Sequence, residues 1–316
     1  MPPSSGQIGR IFENLIEDAY TEQSGGALVT YLPLLDSRGV DRAISIAGTG
    51  PPLFLQIKGR SARAHARVTL QLPLSGVGNF PTWVIAVATA TADNLTDCYL
   101  IPGPDLLAHG TRGHLIKGGT SVRATLSPTS PTWARYHVTG ERIGGRLLDL
   151  IGAPGLNAAP PIPSERQQEE GGFFETAVAA ALLGGDDRLA LYRPAVDVGR
   201  DLLVQVGGSP SSIYVQIKGT ERLDGADLVR FQIRRRTFSP DPSLAYLFCT
   251  RVEGQLGPLW LVPAPELAER AAGGDADHIS FEAHLTTADP RWAHRRLDPI
   301  DLPAAISAAA SRSAQP

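Results

Sequence analysis

Residues 53–59 read Leu53-Phe54-Leu55-Gln56-Ile57-Lys58-Gly59, and residues 213–219 read Ile213-Tyr214-Val215-Gln216-Ile217-Lys218-Gly219. Each run is apolar at almost every position up to the glutamine, as expected for a central strand covered on both faces. Working outward, Gly39-Val40-Asp41 precedes the first run and Gly199-Arg200-Asp201 the second, with fifteen positions from aspartate to glutamine in both cases. Farther upstream, Gly9-Arg10-Ile11-Phe12-Glu13 is matched by Gly171-Gly172-Phe173-Phe174-Glu175, each opening a stretch that reads as helix. Downstream, VTLQLP at 68–73 pairs with VRFQIR at 229–234, YLIPGPDLL at 99–107 with WLVPAPELA at 260–268, and Pro131-Thr132-Trp133 with Pro290-Arg291-Trp292. The chain therefore reads as an internal duplication. A period this long is a repeated domain, not a solenoid unit.

The boundaries implied are a first domain at 7–151, a semi-extended Pro- and Ala-rich linker at 152–170, a second domain at 171–306, and a tail at 307–316 expected to fray. Within each copy the order is a helix, five strands and a helix after Pro102 or Pro263, which is a mixed α/β arrangement. At 316 residues and 42% hydrophobic content the chain is long enough for two cores. No apolar run of about 18 residues and no leader pattern is seen, so the reading is a cytoplasmic chain with no membrane partner. Cys98 and Cys249 lie in apolar runs without metal-ligand spacing and read as inert buried thiols. The formal charge of -3 lacks the basic excess usual for a phosphate-backbone binder, although basic groups need line only the approach to a site.

If the aspartate begins one arm of a hairpin and the glutamine ends the other, Gln56 and Lys58 share a face with Asp41 while Ile57 points to the core. Glu13 reaches that face if its helix packs there. Two carboxylates, an amide oxygen and the Ile57 carbonyl then form an oxygen-donor set suited to Mg²⁺ or Mn²⁺. Lys58 beside them orients water and offsets charge on a phosphate. Glu175, Asp201, Gln216, Ile217 and Lys218 repeat the set. Arginine is preferred almost everywhere, and two of only three lysines, Lys58 and Lys218, fall at this one position. A compact ammonium is chemically distinct there from a planar guanidinium.

Glu, then Gly-x-Asp, then Gln-x-Lys at the end of an apolar strand resembles the PD-(D/E)XK nuclease superfamily. The similarity is to the branch with glutamine at the second acidic position, including Mrr-type restriction endonucleases and relatives of archaeal Holliday-junction resolvases. It covers roughly 60 to 100 residues of each copy. The resemblance implies two tandem restriction-endonuclease-like domains, each a central mixed β-sheet flanked by helices. It also implies a metal-dependent DNA endonuclease, a hydrolase of restriction, defence or repair, whose copies form an intramolecular pseudo-dimer. Metal ligands would be Glu13, Asp41 and Ile57 with Glu175, Asp201 and Ile217, and the motif pairs Gln56 with Lys58 and Gln216 with Lys218 would be catalytic. Glutamine for glutamate removes one negative ligand. The alternative is a non-catalytic nucleic-acid-binding or protein-interaction module, with a protein partner supplying target selection. Asp36 and Asp197 read mainly as turn residues. The same holds for charged edges at Arg60, Arg63 and Arg67 and at Arg234, Arg235 and Arg236, for core packing at Trp133 and Trp292, and for surface or structural roles at His65, His114, His137, His278, His284 and His294.

Overall fold

The computed structural model describes residues 5–34, 39–46, 49–61, 67–91, 94–115, 119–152, 168–195, 199–207, 209–220, 227–235, 238–271, 277–285 and 291–313. The protein is α/β, and it divides into two compact units, the first ending at Pro161 and the second beginning at Ile162. The expected linker lies largely outside the described residues, and from Gln168 onward its last three positions already belong to a helix.

In the first unit, helix α1 (Ser5–Gln23) is followed by strands β1 (Leu28–Pro33), β2 (Arg42–Ile46) and β3 (Thr49–Ser61). Next come β4 (Val68–Pro73), β5 (Trp83–Thr91), β6 (Asn94–Pro102), helix α2 (Gly103–His109), β7 (Thr111–His114), β8 (Thr120–Leu126), β9 (His137–Thr139) and helix α3 (Ile143–Ile151). The main sheet runs β1-β2-β3-β5-β6-β9, and β4-β8-β7 form a separate small sheet. β1, β2 and β3 are an antiparallel meander, whereas β3 and β5 are parallel, with Gln56 opposite Ile85 and Lys58 opposite Val87.

Alternation along β3 sorts its side chains between two layers. Leu53, Leu55 and Ile57 pack with Val84, Ala86 and Ala88 against Phe12, Ile16 and Tyr20 of α1 and Ile143 and Leu147 of α3. On the other side Phe54 meets Phe80 edge to face, and Phe80 meets Trp83 likewise. The glycine of the Gln-Ile-Lys-Gly run has a steric reason. A Cβ on Gly59 would lie 1.9 Å from the Phe12 ring, so only glycine lets α1 come down on the strand.

The second unit repeats the order: helix α4 (Gln168–Gly185), β10 (Leu189–Pro194), β11 (Leu202–Val206), β12 (Ser212–Thr220), β13 (Leu228–Arg234), β14 (Leu244–Val252), β15 (Gln255–Pro263), helix α5 (Ala264–Arg270), β16 (His278–His284), β17 (Arg296–Leu297) and helix α6 (Leu302–Ser313). Its sheet runs β10-β11-β12-β14-β15-β17 with β12 and β14 parallel, and β13-β16 is its small sheet. A Cβ on Gly219 would lie at the same 1.9 Å from the Phe174 ring. Trp292 is fully buried and lies 4.9 Å from Phe281 between ring centroids, a packing role as expected; Trp133 is likewise buried.

The tail differs from expectation. Helix α6 continues through Ser313, with Ile306, Ala309 and Ala310 buried, and Ser313 Oγ donates to the Ser212 carbonyl at 2.7 Å. Alanines at three and four positions beyond Ile306 fall on one helix face, and their small size permits close approach to β11 and β12. Residues 307–313 therefore belong to a docked helix, with Ala309 and Ala310 reaching the core. No helix among the described residues is long and apolar enough to cross a membrane.

Candidate functional site

The strand pairing brings the aspartate to the middle of the Gln-Ile-Lys run. Asp41 N–H donates to the Leu55 carbonyl at 2.8 Å, one step beyond the Arg42–Leu55 pair. There the Asp41 side chain replaces a backbone acceptor: its Oδ2 takes the Ile57 N–H at 2.6 Å. The second unit reproduces this closely, with Asp201 N–H on Val215 at 3.0 Å and Ile217 N–H on Asp201 Oδ2 at 2.6 Å. One consequence is structural, because each carboxylate satisfies a strand N–H at the end of a ladder. Another is positional: a carboxylate is held beside the peptide whose carbonyl belongs to Ile57 or Ile217.

Lys58 Nζ stands 3.8 Å from Asp41 Oδ2, both side chains partly exposed. Lys218 occupies the same place on β12 and is likewise half-buried. Gln56 and Gln216 are buried at 5% and 4% exposure, and neither Oε1 has a hydrogen-bond partner among the described residues. The Gln56 amide lies against Gly39, whose φ is +77°; a Cβ there would stand 2.5 Å from Gln56 Nε2. Glycine is needed at 39 both for the left-handed backbone and for the room it leaves. Gly199 has φ +70° at the matching position.

The helix glutamates differ from expectation. Helix α1 packs on the Ile57 side of β3, so Glu13 approaches the strand end from the face opposite Gln56 and Lys58. There it meets Arg42, a residue the spacing argument overlooked. Arg42 Nη1 donates to Glu13 Oε2 at 2.9 Å and to the Asp41 carbonyl at 2.7 Å, and its Nε donates to Glu17 Oε2 at 2.9 Å. Burial would lower the Arg42 pKa, but the hydrogen bond and charge of Glu17, together with the charge of Glu13, raise it above its ordinary value. In the second unit Glu175 stands 3.7 Å from Arg193 Nη2 of β10, beyond hydrogen-bond range.

Position 42 corresponds to Leu202 and position 17 to Ala179, both buried. The second unit instead buries Arg200 just before its aspartate. Arg200 pairs with Asp241 at 2.9 Å and lies 4.3 Å over the Tyr214 ring. An arginine next to the motif aspartate, at 42 on one side and at 200 on the other, was the available sequence signal for both. Below this second site, burial pushes the Tyr246 phenol and the Cys249 thiol up, and the Asp201 charge adds to both. Burial does the same for Cys98.

The donor set fits a hard divalent cation in part. An unpartnered buried amide oxygen, a carboxylate and an adjacent strand carbonyl are oxygen donors of the required kind. Among the described residues, however, no group of three or more His, Cys, Asp or Glu comes together, and the Glu13 carboxylate is engaged by Arg42. Asp36, Asp197, Arg63, Arg236 and His65 lie outside the described residues. Arg67, Arg234 and Arg235 are exposed, the last two at the end of β13. Two of the histidines sit on carboxylates: His137 Nε2 is 2.8 Å from Asp97, and His294 Nε2 is 2.8 Å from Glu266. No protein-family model matches the chain, and no curated protein matches it.

Proposed function

We propose that the chain is a Mg²⁺- or Mn²⁺-dependent hydrolase of DNA phosphodiesters, built from two tandem PD-(D/E)XK-like domains. The supporting observation is the same constellation formed twice: aspartate Oδ2 on the isoleucine N–H at 2.6 Å, with an unpartnered buried glutamine Oε1 in the preceding position. Asp41, Gln56 Oε1 and the Ile57 carbonyl, or Asp201, Gln216 Oε1 and the Ile217 carbonyl, would hold the ion. A divalent ion there supplies Lewis acidity toward a phosphoryl oxygen and acidifies a bound water. Lys58 places a compact positive charge 3.8 Å from the Asp41 carboxylate, where it would offset charge growing on a phosphate and orient the water, and Lys218 would take the same role at the matching position. Each aspartate, fixed on a backbone N–H, keeps the donor set in register with the strand.

A non-catalytic binding module on the same scaffold is the second reading, favoured by the Arg42–Glu13 pair and by the net charge of -3. The deciding experiment offers plasmid, linear duplex, branched and single-stranded DNA to the purified chain with Mg²⁺ or Mn²⁺. Metal-dependent cleavage that falls by about 100-fold or more in the Lys58→Ala, Lys218→Ala double variant supports hydrolysis. Intact substrates under every condition sink it.

A further inference from the structure

Between Arg42 and Ala92 the chain has no aspartate or glutamate, and again none between Leu106 and Gly140. All three strands of the first unit's small sheet, β4, β8 and β7, come from these two stretches. In a chain of net charge -3, this sheet therefore has no carboxylate of its own. Val68, Leu70 and Leu72 of β4 are buried, as are Val122 and Ala124 of β8, and alternation turns Thr69, Gln71, Arg123 and Thr125 outward. The register puts Thr69 opposite Thr125, and sets Arg123 between Gln71 on one side and Thr111 of β7 on the other. Arg67, just before β4, and Arg112, on the edge strand β7, are also exposed. Arg42 and Arg146 of the same unit meet carboxylates, whereas none among the described residues pairs with Arg67, Arg112 or Arg123. The matching sheet of the second unit offsets charge internally, Arg230 donating to Glu282 at 2.7 Å.

The small sheet lies on the side of the main sheet that carries Gln56 and Lys58. The apolar layer under α1 and α3 holds Ile57 but none of the apolar residues of β4 or β8. The turn leaving β4 agrees: the Gly76 carbonyl and the Gln56 amide both come within 3.8 Å of the point where a Cβ on Gly39 would stand. In the second unit Phe248, opposite Lys218, stacks on Phe281 of β16 with centroids 3.9 Å apart. Arginines without carboxylate partners, set among threonine hydroxyls and an amide, are the groups that hold phosphate oxygens without reading bases.

We propose that the outer face of β4-β8-β7 is a docking surface for the phosphate backbone of duplex DNA. The choice of DNA rests on the hydrolytic reading above, and the proposal puts the substrate's backbone on the lysine side of the first unit.

The test is equilibrium binding of a labelled, mixed-sequence duplex to the metal-stripped full chain, followed by fluorescence anisotropy between about 50 and 200 mM salt. The triple variant Arg67→Gln, Arg112→Gln, Arg123→Gln is expected to bind about tenfold more weakly or worse at the lower salt. Its plot of log affinity against log salt should be shallower by about 2 to 3. Lysine at the same three positions is expected to keep most of the affinity, since a phosphate accepts either cation. The control triple Arg10→Gln, Arg142→Gln, Arg146→Gln removes the same charge from α1, α3 and the turn before α3, across the main sheet. It is expected to change affinity by less than about threefold. All six side chains are exposed or half-buried, so an unchanged urea midpoint is expected of every variant. Equal weakening by the two glutamine triples, or a lysine triple as weak as the glutamine one, overturns the inference. So does a wild-type chain that does not bind duplex, even where the metal-loaded chain cleaves it. Binding through this face by a chain that cleaves nothing upholds the inference and sinks the hydrolytic reading alone.

Discussion

The two strand ends have the same backbone and different charges around it. Both pin an aspartate to the isoleucine N–H at 2.6 Å, both bury a glutamine next to it, and both let a phenylalanine ring down onto a glycine. Around this shared frame the first unit places the Glu13–Arg42–Glu17 group and the second places leucine and alanine, with Arg200 on Asp241 nearby. The lesson is that features set by backbone geometry were retained in both copies, whereas features set by charge were free to diverge. A hydrogen bond from a strand end tolerates little change in position. A partly buried ion pair can be exchanged for apolar residues of similar bulk with little net loss of stability, provided that both partners go together.

The largest expected effect is on activity: Lys58→Ala with Lys218→Ala is expected to reduce cleavage by about 100-fold or more, and the two single variants weigh one unit against the other. Equal losses from the two single variants, measured as initial rates, would show that the units act alike. Stability should instead show the sameness. Gly59→Ala and Gly219→Ala each put a Cβ 1.9 Å from a packed ring, and each is expected to destabilise by about 1–3 kcal/mol in urea unfolding. A harmless Gly59→Ala would mean that α1 does not rest on the strand as described.

Arg42 gives a smaller and sharper contrast. Arg42→Leu alone leaves Glu13 and Glu17 uncompensated and is expected to destabilise by about 2 kcal/mol, and adding Glu17→Ala should restore part of that. A double variant no more stable than the single would argue that the group contributes little. The smallest effect lies at alkaline pH. Burial, with the Asp97 charge, pushes the Tyr99 phenol up to about 12, and burial raises Tyr246 as well. Both folded values lie above the ordinary 10.0, so this contribution to stability is fully present below that pH. It is lost as the pH rises through the folded values, because the unfolded chain ionises first. Tyr99→Phe and Tyr246→Phe should therefore flatten the decline of unfolding free energy above pH 10, followed by phenolate absorbance.

Much of the site was legible because it depends on spacing along the chain. Fifteen positions from Asp41 to Gln56 define a hairpin, and the period of two along a strand places Gln56 and Lys58 together. The structure pairs Arg42 with Leu55 and gives the aspartate its predicted neighbours. Strand β1 and its counterpart β10 went unread because Leu28–Pro33 and Leu189–Pro194 follow their helices closely and lack alternation, being buried at four successive positions. Helix α6 went unread because alanine adds little apolar area, and its value as a close-packing residue appears only when a partner surface is present.

The sequence by itself determined the duplicated order of elements, the apolar strand carrying Gln-Ile-Lys, and the aspartate that joins it, since all three are local patterns or fixed separations. Only the tertiary structure decided which face of the strand the helix covers, and therefore that Glu13 meets Arg42 on the side away from Gln56 and Lys58. That choice depends on Phe12 descending onto Gly59, a contact between residues 47 positions apart that no periodicity along either segment reveals.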